Sequence, residues 1–298
     1  MKSPFLSVII PTYNRAELIS KTIDSFLQQT YSNFEIIVVD DGSTDNTKIV
    51  VEAITDRRIK YYWKENAERG AARNFGAERA KGEYLNFFDS DDIAYPIHLK
   101  VAAEAIDQLN YPDVFHLGME IKKENGQVET QVKNIGIKGL KNLLLHTYVT
   151  PNAVFVKYKA WERVKFNETR KLSGSEDWVF FLQLSNFYDW IAFDSVITSC
   201  LMQHENRSMN IASGKTCYER ATCLYKILKN DKDFIQKFSK KQTRLIFAEP
   251  IHLAALHYAL EKKKGQSLKC LFEVANMSFK KIISRRTLAI TKYLLLRW

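Results

Sequence analysis

Residues 84–92 read YLNFFDSDD, an apolar run that ends in a cluster of acids. Tyr84, Leu85, Phe87 and Phe88 make a short apolar run of the kind that enters a core as a buried strand. The run then meets Asp89, Asp91 and Asp92 within four positions. Neighbouring carboxylates repel by about 1 kcal/mol per pair in water, and by more where water is partly excluded. So much negative charge at the mouth of a hydrophobic strand has two simple explanations. The acids await a cation, or they cap a helix formed by the following IAYPIHLKVAAEAI (93–106).

Upstream, short apolar runs alternate with helical patterns. LSVII (6–10), EIIVV (35–39) and RIKYYW (58–63) read as strands. Between them lie RAELISKTIDSFLQQ (15–29), with Leu18, Ile19, Ile23, Phe26 and Leu27 on one face, and the helix-like DNTKIVVEAI (45–54). RGAARNFGAERA (69–80) is a helix of small residues able to lie close on a sheet. Repeated strand–helix–strand order predicts a parallel sheet with right-handed crossovers. In such sheets ligands sit beyond the carboxyl ends of the strands, where Asp40-Asp41 and the 89–92 acids both fall and can converge. From 111 to about 205 the pattern is mixed, with VFHLGMEI, QVETQV and AVFVK as strands, EDWVFFLQLSNF as a helix and WIAFDSVITSCLM as a strand. Beyond Ser213 nearly everything reads as helix, including LKCLFEVANMSFKKII (268–283) as one run. The expected fold class is α/β: a mixed, mainly parallel sheet flanked by helices, with a helical C-terminal extension.

The formal charge is +10, but residues 226–298 hold 17 Lys and Arg against 5 Asp and Glu, so the whole excess lies in the last quarter. That asymmetry points to an attached basic module rather than a generally basic protein. Cys200, Cys217, Cys223 and Cys270 form no Cys-x-x-Cys pair and no regular framework. With no N-terminal signal peptide, they read as reduced thiols of a cytoplasmic protein. No apolar run approaches the ~18 residues of a membrane span.

The motifs SVIIPTYNR (7–15), VVDDGSTDNT (38–47), ARNFGAERAKGEYLNFFDSDD (72–92), SEDW (175–178) and QHENRSMN (203–210) occur in order. In this the chain resembles the family 2 glycosyltransferases, inverting enzymes of the GT-A fold that use nucleotide-sugar donors. The resemblance covers roughly residues 5–210 and implies a glycosyltransferase domain over 1–212, with a nucleotide-sugar half (1–110) and an acceptor half (111–212). A basic helical extension, 213–298, follows. The resemblance makes Asp89-Ser90-Asp91 an Asp-x-Asp motif for Mn²⁺ or Mg²⁺, with Asp91 the main ligand and Asp89 nearer the donor ribose or an outer water. Such a cation bridges carboxylate to diphosphate and neutralises the departing nucleotide. Pro11, Thr12 and Tyr13 are expected to line the base pocket, Asp41 to accept a base N–H, and Arg73 to face the diphosphate, with Arg15 and Arg69 as weaker candidates. By themselves Pro11–Asn14 and Asp40–Ser43 are ordinary turns, and Arg73 an ordinary helix arginine.

For the reaction, the resemblance gives the general-base role to Asp177, with Glu176 orienting it or holding acceptor. The bland alternative is that Ser175, Glu176 and Asp177 simply begin a helix, whose dipole favours acids there. His204 stands where relatives place a metal-ligating histidine, although Met202 and Ser208 make that motif a partial match. The implied partners are a nucleotide-sugar, a UDP-sugar or alternatively a GDP-sugar, and a glycan or lipid-linked acceptor in bacterial surface-polysaccharide synthesis. A catalytically silent, nucleotide-sugar-binding scaffold of the same fold is the alternative from another class. The tail SFKKIISRRTLAITKYLLLRW mixes basic and apolar residues at helical spacing. It suits an anionic membrane surface, placing the protein peripherally on the inner face, or an oligomer contact, or a solvated basic face. No zinc-finger or RNA-recognition spacing supports nucleic acid. Arg297-Trp298 resembles the Gln-x-x-Arg-Trp of processive relatives, but position 294 is Leu, which implies transfer of single sugars.

Overall fold

β1 (Leu6–Thr12) and β2 (Phe34–Asp40) are buried at every position, as strands covered on both faces must be. They pair in parallel, Leu6 opposite Phe34 and Thr12 opposite Asp40. β3 (Ile59–Trp63) extends the sheet beyond β2, and β4 (Tyr84–Phe87) flanks β1, both again parallel. The coordinates are a computed structural model, which describes residues 3–136, 144, 149–204 and 212–295.

The second half of the sheet is mixed. β8 (Val154–Lys157) joins β4 antiparallel, and β6 (Val114–Lys123) joins β8 antiparallel. β9 (Trp190–Gln203) runs parallel to β6, the two-residue β5 (Ile93–Ala94) pairs with β9, and β7 (Val128–Val132) hairpins onto β6. Among the described residues the nine strands form one sheet of order β3-β2-β1-β4-β8-β6-β9-β5, with β7 beside β6. The expected mixed, mainly parallel sheet is found.

Helices cover the sheet as the apolar periodicity requires. α1 (Ile19–Leu27) buries Ile19, Ile23 and Phe26 completely, against Leu6, Val8 and Ile10 of β1 and Leu99, Ala102 and Ile106 of α4 (His98–Gln108). α2 (Thr47–Glu52) is short. α3 (Glu68–Ala77) lies so close to the sheet that a Cβ on Gly76 would come within 2.6 Å of Ile9 and 3.0 Å of Val39. The small residues of this helix are thus a condition of its packing. α5 (Tyr158–Arg163) follows β8.

The chain divides into two compact units. Met1–Lys141, Val149–Arg170 and Phe187–His204 form one, which contains the whole sheet. Asn142–Tyr148, Lys171–Asn186 and Glu205–Trp298 form the other. Within that second unit, α6 (Glu176–Phe187) contributes Trp178, Val179 and Leu182 to a core shared with Leu224 and Leu228 of α7 (Gly214–Asn230), Phe234 of α8 (Lys232–Lys237) and Ile246 of α9 (Lys240–Leu260). α9 opens with a capping box in which Ser239 and Gln242 satisfy each other's backbone. The expected single helix over 268–283 is two, α10 (Lys264–Met277) and α11 (Phe279–Ile282), because Ser278 turns extended at φ −156°. α12 (Arg285–Leu295) ends the described chain. Among the described residues no helix is long and apolar enough to cross a membrane.

Candidate active site

The carboxyl ends of β1, β2 and β4 are adjacent, so the loops that leave them share one space. The loop after β1 stitches that space together. Asn14, in the left-handed region at φ 50°, donates its N–H to Ser43 Oγ and accepts the Thr44 N–H on its side chain. Arg15 then donates its N–H to Thr47 and brings Nε to 3.8 Å from Asp91 Oδ2. The Asp40-Asp41 turn and the 89–92 acids converge as the sequence predicts.

The two acids of the β2 turn do different work. Asp40 is fully buried, accepting the Ser43 N–H on Oδ1 and the Tyr61 hydroxyl on Oδ2, so it builds the turn. Burial and this carboxylate push the Tyr61 phenol's pKa up, keeping it a donor. Asp41 accepts from Lys64 Nζ at 2.6 Å and from the Ala67 N–H, both on Oδ1. Its Oδ2 has no hydrogen-bond partner among the described residues. Gly42, next after Asp41 in this turn, sits at φ +85°, where a side chain would be strained. Pro11 and Thr12 are buried at the end of β1, whereas the Tyr13 ring is 48% exposed. Thr12 Oγ1 is buried without a hydrogen-bond partner among the described residues.

The three acids of YLNFFDSDD also separate. Asp89 is paired with Arg73, whose guanidinium is only 1% exposed, at 2.9 Å. The Arg73 guanidinium also lies over the Phe166 ring, 5.3 Å from its centroid. Asp92 is fully buried, accepting Asn152 Nδ2 at 2.6 Å on Oδ2 and the Met202 N–H at 2.8 Å on Oδ1. Asn152 in turn accepts the Asp89 N–H on its own Oδ1. Asp91 faces His204, Nε2 to Oδ2 at 3.0 Å, and Arg15. Ser90 is buried between these acids. The helix-cap explanation does not hold: Ile93-Ala94 is strand, and α4 starts only at His98 with Ile97 before it.

Asp177 and Glu176 open α6 in the second unit. Glu176 is buried and accepts the Gly174 N–H at 2.5 Å, and Asp177 accepts the Trp178 N–H at 2.7 Å. The rest of the QHENRSMN motif (205–210), with Ser208, and the terminal Arg297-Trp298 lie outside the described residues.

One carboxylate and one imidazole converge at Asp91 and His204, a donor set of the kind that Mn²⁺ takes when diphosphate and water complete its shell. Among the described residues no group of three His, Cys, Asp or Glu forms a complete protein cage. Two residues that motifs missed matter here. Lys64 follows Trp63, which pairs with Asp40, so the parallel register of β2 and β3 brings it level with Asp41. Asn152 carried no signal, lying in an unremarkable Thr-Pro-Asn stretch 60 residues from Asp92.

The parallel part of the sheet, β3-β2-β1-β4, with loops at the carboxyl ends of its strands, is the frame on which α/β proteins bind nucleotides. The chain belongs to glycosyl transferase family 2, whose family model matches residues 7–164. It is thus a GT-A-fold, inverting glycosyltransferase with a nucleotide-sugar donor. It is 29% identical over 282 residues, 91% of this chain and 88% of the other, to the GalNAc(5)-diNAcBac-PP-undecaprenol beta-1,3-glucosyltransferase of Campylobacter jejuni. Its fold is like that of S. aureus TarS 1–349 in complex with UDP-GlcNAc (TM-score 0.69, 22% identity, covering 97% of this chain and 88% of that one). It is also like the mannosyltransferase PcManGT from Pyrobaculum calidifontis in complex with GDP-Man and Mn²⁺ (TM-score 0.59, 21% identity, covering 99% and 86%). Asp177 and His204 lie beyond the residues that the family model matches.

Proposed function

We propose that the protein is a metal-dependent transferase that moves one sugar from a UDP-sugar to a hydroxyl of a glycan or lipid-linked acceptor in bacterial surface-polysaccharide synthesis. The observation that carries this reading is the pairing of Asp91 with His204 beside Arg15, while Asp89 is engaged by Arg73. Asp91 and His204 would hold Mn²⁺ or Mg²⁺, which supplies charge neutralisation to the leaving diphosphate. Arg73 keeps Asp89 in place at the donor side, and Arg15 offers a nearby guanidinium for phosphate oxygens. Tyr13 presents an exposed ring for base stacking. Asp41 offers Oδ2 to the N–H of a uracil while Lys64 holds Oδ1. Asp177 takes the acceptor proton as the acceptor oxygen attacks the anomeric carbon and the nucleoside diphosphate leaves. Glu176 fixes the turn before it through Gly174. The glucosyltransferase relative, whose name includes an undecaprenol-linked glycan, supports a lipid-linked acceptor and a place at an inner membrane face.

The UDP-GlcNAc complex of TarS favours UDP, and the PcManGT complex keeps a GDP-sugar as the second reading. Calorimetric titration of UDP and GDP, each with and without Mn²⁺, separates them. Mn²⁺-dependent UDP binding is expected, and preference for GDP would overturn the donor. Binding of neither nucleotide would favour a scaffold. Asp177→Asn should abolish transfer and leave UDP affinity within about twofold; unchanged turnover would remove Asp177 as the base.

A further inference from the structure

Within the C-terminal unit, the first turn of α9 and the α10–α11–α12 corner enclose a groove of about 990 Å³. Lys240, Lys241, Arg244, Lys280 and Arg285 line it, all exposed, and none has an ion pair among the described residues. The groove's one carboxylate, Glu249, is 5% exposed and already bound by Lys281 and by Arg286 at 2.7 Å. That cluster ties α9 to α11 and α12 and neutralises the acid among the described lining residues. Five cations therefore face the groove with no ion-pair partner among the described residues, which is what a bound anion requires. First-turn residues of two helices, α9 and α12, add their partial positive charge.

The rim argues for what kind of anion. Phe279 is 69% exposed and lines the groove, and Ile283, four residues on, is 76% exposed. Leu288 on α12 is similarly exposed. A free phosphate or a nucleic-acid backbone has no use for these side chains, whereas a lipid layer covers them while its phosphates meet the cations. We infer that this groove is a membrane-docking site that takes the phosphate headgroup of an anionic phospholipid, with Phe279 and Ile283 entering the acyl boundary. This rests on the proposed work at a membrane face and places it where the start of the terminal tail, Phe279–Arg286, meets the first turns of α9.

The test uses the full chain and co-sedimentation with vesicles of phosphatidylcholine, with or without one part in three of phosphatidylglycerol. Wild type should pellet only with the anionic vesicles. Arg244→Gln with Lys280→Gln should weaken that binding roughly 30-fold at low salt, at about 1 kcal/mol per charge. Phe279→Ser with Ile283→Ser should weaken it by roughly tenfold or more. The charge-matched Lys21→Gln with Lys159→Gln, exposed cations elsewhere, should change it less than about twofold. Unaltered circular dichroism shows that each variant is folded. If wild type ignores the anionic vesicles, the membrane reading itself fails. If it binds them and the groove and control variants weaken equally, only net charge acts and the groove inference fails. Binding of inorganic phosphate or single-stranded RNA at the same residues, without vesicle binding, would overturn the lipid assignment.

Discussion

Replacing Asp92 by asparagine keeps the side chain's shape and removes one acceptor and its charge. In the native site Oδ1 accepts the Met202 N–H at 2.8 Å and Oδ2 accepts Asn152 Nδ2 at 2.6 Å, so both partners are donors. An asparagine amide must aim its NH₂ at one of them. Turning Asn152 over would offer its oxygen to the new amide, but that oxygen already accepts the Asp89 N–H. Turned over, it would point a donor at a donor. Within the described chain Met202–Asp92–Asn152–Asp89 the mismatch can move but not vanish, because both ends are backbone N–H groups. Hydrogen bonds to a charged acceptor contribute about 1.5–3 kcal/mol each, and at least one is lost. Amide hydrogen exchange in peptides spanning Met202 reads this directly. Protection there should fall roughly ten- to a hundredfold in Asp92→Asn, while Asp91→Asn leaves it near wild type. Because His204 lies two residues beyond Met202, Mn²⁺-dependent nucleotide affinity should fall in both variants. Unchanged protection at Met202 in folded Asp92→Asn protein would refute the claim that Asp92 is a clamp rather than a ligand.

Three further perturbations follow from the same geometry. Arg73→Met strips the buried guanidinium from Asp89 and should cost about 3 kcal/mol or more in chemical denaturation. A loss below about 1 kcal/mol would mean that Asp89 is solvated without it. Tyr13→Ala should weaken nucleotide binding by about 1–3 kcal/mol in calorimetry while leaving the denaturation midpoint unmoved, and an equal affinity would take the ring out of the base pocket. His116 is fully buried with neither ring nitrogen hydrogen-bonded among the described residues, and burial pushes its pKa from 6.5 down to about 4. The unfolded chain therefore binds the proton first, so this stability is present above pH 6.5 and is lost as pH falls towards 4. His116→Leu should remove about 2 kcal/mol of the stability lost between pH 7 and pH 5, and an identical pH dependence in both proteins would contradict the burial effect.

The strands were legible because both faces of β1, β2 and β4 are covered, which writes them as unbroken apolar runs. Their carboxyl-end acids were legible as a group for the same reason: charge at the end of such a run has to be explained. The division of labour among those acids was not, since Asp89, Asp91 and Asp92 are chemically alike and differ only in what reaches them. Their partners Arg73, His204 and Met202 lie 16, 113 and 110 residues away and are brought by α3 and the end of β9. No local pattern encodes such meetings. The break at Ser278 was hidden in a similar way, because a helix can end at an extended serine without Gly or Pro nearby.

What made the charge of YLNFFDSDD tolerable is therefore not one cation shared by three acids. A buried arginine answers Asp89, and an amide with a strand-end N–H answers Asp92. Asp91 alone is met by an imidazole, with an arginine held back at 3.8 Å. An imidazole can be a hydrogen-bond partner or a metal ligand, whereas guanidinium and amide groups cannot exchange those roles. The same argument that relieves two of the carboxylates thus leaves the third as the place where a divalent cation and the donor's diphosphate are expected, and Asp91 rather than the whole cluster is the residue to test for it.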